Sequence, residues 1–332
     1  MTTANQTSVA TQDEMFIEVS VSAKREIATG TFLFELVTSG GGGGLQSLPT
    51  YTAGSHLTVV TPSGVRRNYS LCGDPADTTR YCIAVKRDAK GRGGSISMAD
   101  DVQTGNTLQV SAPRNNFELA PRAKKFLFIA GGIGITPILS MMRHLRHGDL
   151  AESFSLIYCT RDPESTAFAA DLASEFPGKV TLHHDHGDAD QAFDFWPVLE
   201  RPSGAHIYCC GPKALMDAVA DMSGHWPSGS VHFESFGVDA TAFAQNVSFD
   251  VRLQKSGRTL HVDAEQTLLE ALRANGCTVR SSCESGTCGS CRTGLISGDV
   301  EHRDMVLLDE ERESQIMVCV SRARSGQLVL DL

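Results

Sequence analysis

Four cysteines near the C-terminus have the types and spacing for redox chemistry. Cys283, Cys288 and Cys291 form C-x4-C-x2-C, and Cys319 follows after a further 27 residues. One loop with this spacing can wrap three thiolates round a small inorganic core and take the fourth from elsewhere, which is [2Fe–2S] ligation. Zinc ribbons instead use C-x2-C pairs. Gly286 and Gly289 allow the positive φ that turns loop amides toward sulfur, and such hydrogen bonds stabilise the reduced, more negative centre. Four packed core cysteines would need no such spacing. Cys277, six residues before the first ligand, reads as a core residue at a helix end.

A second group lies upstream, in Arg67-Asn68-Tyr69-Ser70-Leu71. On an extended strand Arg67 and Tyr69 point to the same side, so a guanidinium for a phosphate and a ring for a flat heterocycle can address one ligand. About twenty residues on, Val85-Lys86 closes a strand, and Gly93, Gly94 and Ser95 open a short helix whose N–H groups and hydroxyl suit an anion. Together these assign Arg67, Gly93, Gly94 and Ser95 to a flavin phosphate, with Tyr69, Ser70, Val85 and Lys86 beside the flavin.

A third group combines two glycine turns. Phe126 to Ala130 reads as a strand running into Gly131-Gly132-Ile133-Gly134-Ile135-Thr136-Pro137, with Thr136 as N-cap and Pro137 as the first helical residue. A helix start there can bind a pyrophosphate through Gly132, Gly134 and Thr136. Pro137 occupies the third glycine position of G-x-G-x-x-G, so an ordinary Rossmann dehydrogenase is excluded as the best match. Tyr208-Cys209-Cys210-Gly211-Pro212 ends another strand where open α/β sheets bind ligands, which lets Cys210 face a nicotinamide ring while Cys209 points into the core. Thr160 and Arg161 follow a further strand at the adenosine end. An arginine there can also recognise a 2′-phosphate, so the residues alone leave NADPH open.

The elements that must position these groups fall into three textures. From about residue 15 to 117, short alternating or β-branched runs (Thr31 to Val37, His56 to Val60, Tyr81 to Lys86, Thr107 to Val110) predict an antiparallel barrel, with the glycine run 39–44 as a flexible hairpin tip. From Lys124, apolar strands alternating with helical stretches predict a parallel sheet covered by helices. After a small, polar linker, alternation at Val247, Phe249, Val251 and Leu253, a strand around Leu260 and a helix from Thr267 to Ala274 open a third unit. The expected division is 13–120, 121–236, linker 237–246 and 247–332.

The chain has 332 residues, 41% of them apolar, and a net charge of −10. That charge argues against a nucleic-acid partner, since tracking phosphates takes a basic face. No apolar run reaches the roughly 18 to 20 residues of a membrane span, and the first fifteen residues lack signal-peptide character, so no membrane partner and a cytoplasmic location are expected. His183, His184 and His186 read as a solvated strand end, and Asp309 to Glu313 as an exposed helix face that can also help dock a partner.

The last 85 or so residues resemble plant-type ferredoxins, on the ligand loop and the isolated Cys319. The R-x-Y-S strand and the C-G-P turn resemble the ferredoxin–NADP⁺ reductase superfamily. Within it, the domain order resembles the phthalate dioxygenase reductase and vanillate demethylase reductase family, from about Met15 onward. The resemblance implies an antiparallel β-barrel flavin domain, an α/β parallel-sheet nicotinamide domain and an α+β, β-grasp-like [2Fe–2S] ferredoxin domain. It implies FMN and NADH, and places Phe233, Glu234, Ser235 and Phe236 on the flavin side of the interface. It also implies a monomer that passes electrons one at a time to a terminal Rieske-type oxygenase. A redox sensor and a reductase of NAD⁺ are the readings that compete with it.

Overall fold

The computed structural model describes residues 16–39, 47–89, 91, 93–146, 150, 153–227, 229–236, 246–281 and 284–332. Cys283, residues 40–44 of the glycine run and residues 237–245 of the expected linker lie outside them.

The first sheet contains β1 (Phe16–Ala28), β2 (Thr31–Thr38), β3 (Ser55–Val60), β4 (Arg66–Ser70), β5 (Tyr81–Lys86), β6 (Thr107–Ser111) and β7 (Arg114–Asn115). Its order is β4-β3-β6-β1-β2-β5, with β7 on β3, and a bridge between Leu71 and Ile83 joins the two ends. The antiparallel sheet thus curls into the expected barrel. Val19, Phe34, Leu36, Leu57, Val59, Ile83 and Val110 alternate inward to fill it, and α1 (Gly94–Asp101) adds Met98 to that core. Lys24 Nζ donates to the carbonyls of Ala99 (2.6 Å) and Val102 (2.8 Å), satisfying groups that the end of α1 leaves without helical partners.

The second sheet is wholly parallel: β8 (Phe126–Gly131), β9 (Phe154–Thr160), β10 (Val180–His184), β11 (His206–Cys210) and β12 (Val231–Glu234), in the order β10-β9-β8-β11-β12. The near-continuous apolar runs of β8, β9 and β11 are covered on both faces, as inner parallel strands require, whereas the edge strand β10 is partly exposed. On one face α2 (Ile135–Leu145) and α3 (Ala169–Glu175) pack with Phe128, Tyr158 and Cys210; on the other α4 (Trp196–Leu199) and α5 (Lys213–Ser223) pack with Ile129, Ile157 and Cys209. The chain moves outward from β8 to β10 and then returns to β11, which opens a crevice between β8 and β11 at their carboxyl ends.

Barrel and parallel sheet share one core, in which Leu33, Ala53, Cys72, Ala84 and Phe117 of the barrel join Phe128, Tyr158 and Tyr208. Arg143 on α2 donates to the Cys72 carbonyl (2.7 Å) and pairs with Glu175, while Arg146 pairs with Asp74 (2.9 Å). The flavin-side and nicotinamide-side residues are therefore held in fixed relation.

The third sheet, β14-β13-β17-β15-β16, contains β13 (Phe249–Leu253), β14 (Thr259–Val262), β15 (Arg292–Glu301), β16 (Gln315–Met317) and β17 (Arg322–Leu330). Only β13 and β17 run parallel, and α6 (Leu268–Ala274) packs Leu268, Leu269 and Leu272 on the sheet. A second short helix, α7 (Asp309–Arg312), leads into β16. No described helix is long and apolar enough to cross a membrane.

On the parallel sheet, His206 Nδ1 lies 3.0 Å from His232 Nε2, and the His232 ring stacks on Tyr208 at 4.4 Å. Burial, then the neighbouring His206, lower the His232 pKa to about 4. Between an unfolded-state pKa of about 6.5 and that value the unfolded chain binds the extra proton, so stability falls as pH falls through this window. Urea unfolding followed by the fluorescence of Trp196 and Trp226, the two tryptophans of the chain, should show a lower midpoint at pH 5 than at pH 7. His232→Phe should remove part of that dependence; an unchanged pH profile in the variant would reject His232 as its source.

Candidate functional site

The two upstream motifs meet on the barrel. In β4, Arg67 and Tyr69 face one side, and the Arg67 side chain crosses Gly94 so closely that a Cβ on Gly94 would lie 2.9 Å from its Cγ. Gly93 caps α1 with φ +83° and has open space where a side chain would stand. Ser95 Oγ accepts the Asp88 N–H at 3.2 Å and keeps its own proton to donate. A cationic side chain, a helix start and a hydroxyl therefore converge on an open notch, the chemistry of a phosphate site. Beside it the Tyr69 hydroxyl is buried with no hydrogen-bond partner, and burial pushes its pKa up to about 12. A buried donor of that kind fits a polar group on a bound heterocycle. Val85 is buried in the barrel core and Lys86 is exposed at the strand end.

Ser70 marks the seam with the parallel sheet, its Oγ donating to Glu234 Oε2 at 3.5 Å across 164 residues of sequence. Glu234 is the last residue of β12, and half-exposed Phe236 follows two residues on. Cys210, at the end of β11, is fully buried; burial and then the nearby Glu234 carboxylate hold its thiol well above the usual range. The thiol is thus held neutral, and is not an acid, base or nucleophile. Cys209 packs on the opposite face of the sheet, as the alternation predicts.

The two glycine turns flank the crevice in contact with each other. A Cβ on Gly134 would stand 2.2 Å from the Cys210 carbonyl oxygen, and one on Gly131 would stand 2.6 Å from Pro212 Cδ. Gly132 instead has φ +53° and faces open space. One expectation needs correcting here: Thr136 is not the N-cap. A 3₁₀ turn, Gly132–Gly134, runs straight into α2, Gly134 occupies the cap, and Thr136 Oγ1 donates back to the Ile133 carbonyl at 3.0 Å. The close approach to β11 demands a glycine at the cap, which shifts the helix start two residues earlier than the sequence suggests. Pro212 caps α5, directly after the half-buried Gly211.

Tyr158, on β9, was not singled out by sequence. Its hydroxyl donates to the Gly132 carbonyl at 3.0 Å from a fully buried position. In a planar trans peptide this turns the next N–H, that of Ile133, the opposite way. A tyrosine inside an apolar strand carries no signal of that role. Two residues further, at the carboxyl end of β9, Thr160 Oγ1 contacts Thr166 Oγ1 (2.7 Å) and His184 Nδ1 (2.9 Å), and exposed Arg161 lies over Gly187. His183 bonds to the Gln191 carbonyl. His183 and His184 are thus built into this corner rather than simply solvated.

In the third unit Cys291 and Cys319 are buried and Cys288 is half-buried, with Sγ 3.0 Å from Ser290 Oγ. Glu284, Gly286 and Gly289 all have positive φ (52°, 79° and 79°), the conformation expected of a loop that turns amides inward. The Leu269 amide of α6 takes the Val318 carbonyl at 2.9 Å, which seats the chain just before Cys319. Among the described residues no three His, Cys, Asp or Glu side chains gather round a single ion; Cys283 lies outside them, and a two-iron core spreads its ligands.

These features define a reductase with a flavin barrel, a nicotinamide crevice and an iron–sulfur unit in one chain. Residues 128–221 match the oxidoreductase NAD-binding domain and residues 251–324 the 2Fe-2S iron-sulfur cluster binding domain. The chain is 58% identical to the phthalate 4,5-dioxygenase oxygenase reductase subunit of Pseudomonas putida over 323 residues, covering 96% of this chain and 98% of that one. It is 38% identical to a vanillate O-demethylase oxidoreductase of a Pseudomonas strain, over 95% of this chain and 100% of that one. The solved phthalate dioxygenase reductase, described as a modular structure for electron transfer from pyridine nucleotides to [2Fe-2S], superposes with a TM-score of 0.75 at 54% identity, covering 97% and 99% of the two chains. The chain belongs to the phthalate dioxygenase reductase and vanillate demethylase reductase family. It is an NADH-dependent oxidoreductase with FMN and a [2Fe–2S] cluster, the reductase component of an oxygenase system.

Proposed function

We propose that the electrons leave for a Rieske-type terminal oxygenase acting on an aromatic dicarboxylate of the phthalate class. The observation that carries this reading is the gap between 58% and 55% identity to two phthalate reductases and 38% to a vanillate reductase, each over nearly the whole chain. The chain acts as a cytoplasmic monomer, divided at 13–120, 121–236 and 247–332 with 237–246 as linker. It needs neither nucleic acid nor membrane.

In this reading Arg67, Gly93, Gly94 and Ser95 hold the FMN phosphate, while Tyr69, Ser70, Val85, Lys86 and Phe236 border its ring. Gly132, Gly134, Thr136, Gly211 and Pro212 receive the pyrophosphate and nicotinamide of NADH, and Thr160 and Arg161 its adenosine half. Cys210 packs against the nicotinamide, and Cys283, Cys288, Cys291 and Cys319 ligate the cluster. FMN, when bound, turns hydride delivery by NADH into single-electron steps that a [2Fe–2S] centre can accept. The protein's share is geometry: the joined core of barrel and parallel sheet holds the two ring-binding faces in register and keeps water from between them.

Anaerobic titration with NADH should bleach the flavin and reduce the cluster together. Mixing with a phthalate oxygenase component should then give product formation coupled to NADH use, well above that with a vanillate oxygenase component. Flavin bleaching with a cluster that stays oxidised would reject the electron path, and equal coupling to both oxygenases would reject the phthalate assignment.

A further inference from the structure

We propose that Met305 is a positioning residue that seats the cluster loop on the nicotinamide unit and so sets the rate at which electrons pass from flavin to cluster. Among the described residues it is the one apolar side chain of residues 246–332 that packs on the core of either other unit, against the cluster containing Ile207, Cys209 and Met216. Its backbone reaches the other way: the Met305 N–H donates to the Gly286 carbonyl at 3.1 Å, inside the ligand loop. One residue thus touches both the nicotinamide unit and the loop that carries the thiolates.

The residue beside it stiffens this bridge. Asp304 has a fully buried carboxylate that accepts the N–H groups of Val306 (3.2 Å) and Leu307 (2.9 Å). Its Cα also lies 3.2 Å from where a Cβ on Gly286 would stand. The turn bearing Met305 is therefore rigid on the cluster side, whereas its hold on the nicotinamide unit is a half-buried thioether, a side chain that adapts to an irregular apolar surface. Small contacts between domains leave relative motion as the default, so removing this one should loosen the seat. Each transfer moves one electron from reduced flavin to one ferric iron of the cluster, and its rate depends on how near the two are held.

The inference rests on the electron path proposed above, and single-turnover mixing of the holoprotein with NADH separates the two. Met305→Ser should slow cluster reduction by about tenfold or more while flavin bleaching keeps its rate, a loss of the size that misplaced reacting groups produce. Cluster content and cluster potential should stay unchanged, and small-angle scattering should show a larger radius of gyration. Met305→Leu, which keeps the apolar contact, should restore cluster reduction to within about twofold. Unaltered cluster reduction in Met305→Ser, a parallel slowing of flavin bleaching, or failure of Met305→Leu to restore the rate would each overturn the assignment. A cluster that stays oxidised in the unaltered protein would instead strike at the path itself.

Discussion

Cys319→Ser should abolish delivery of electrons to the partner while leaving reduction of the flavin nearly untouched. Cys319 is 2% exposed and follows Ile316, Met317 and Val318, all fully buried, so its sulfur projects from the core of the third unit. Serine offers a harder, more basic oxygen in place of a thiolate, and iron–sulfur centres select soft ligands. The flavin barrel and the nicotinamide crevice, by contrast, share a core to which Cys319 does not contribute. Oxygenase-coupled turnover should fall by at least about 10²-fold, with the visible absorption of the cluster lost and the rate of flavin bleaching by NADH within about twofold of the unaltered protein. Because folding and metal binding are linked in a site of this kind, the third unit should also unfold at lower urea concentration. A variant retaining a normal cluster spectrum would remove Cys319 from the ligand set.

The second large effect belongs to Gly134→Ala. The φ of Gly134 is −61°, which any residue adopts, so backbone strain does not enter. What enters is space: the added methyl would meet the Cys210 carbonyl oxygen at 2.2 Å, its carbon at 2.5 Å and the Gly211 nitrogen at 2.9 Å. All three are backbone atoms held in β11 and its turn, with no rotamer to escape into. Either α2 or the Cys210–Pro212 turn must move, at a cost of about 1–3 kcal/mol typical of overpacking. Both form the walls of the crevice, so NADH-driven flavin reduction should drop by about 10²-fold or more, the loss expected when reacting groups shift by about an ångström. Cluster absorbance and flavin retention should be spared. Gly224→Ala is the matched control, since its φ is −57° and a Cβ there would meet nothing closer than 3.9 Å. Equal behaviour of the two variants would show that the close approach is not what the crevice depends on.

Much of the site could be read locally because its chemistry is carried by short-range spacing. C-x4-C-x2-C is a loop property, and R-x-Y-S and the two glycine turns announce themselves within five to seven residues. The strands bearing them were legible for the same reason: β5 and β8 are short, apolar and bounded by breakers. Less was visible where regularity fails. β15 and β17 pair with three register shifts and carry five charged residues between them, so no regular alternation marks them. The start of α2 was misplaced because a threonine–proline pair is a good local cap, but only the neighbouring β11 reveals that a glycine must stand there.

By itself, then, the sequence supplied the four proposed cluster cysteines, the candidate groups for flavin and nicotinamide, and the order of three units along the chain. Side-chain type and near-neighbour spacing suffice for those. Tertiary structure alone decided what lies between the units. It placed Arg67 across Gly94, brought Ser70 to Glu234, set Tyr158 under the Gly132 carbonyl and put Met305 between the nicotinamide core and the cluster loop. Each pair is 26 or more residues apart or crosses a domain seam, and each depends on burial and register, which no local pattern encodes.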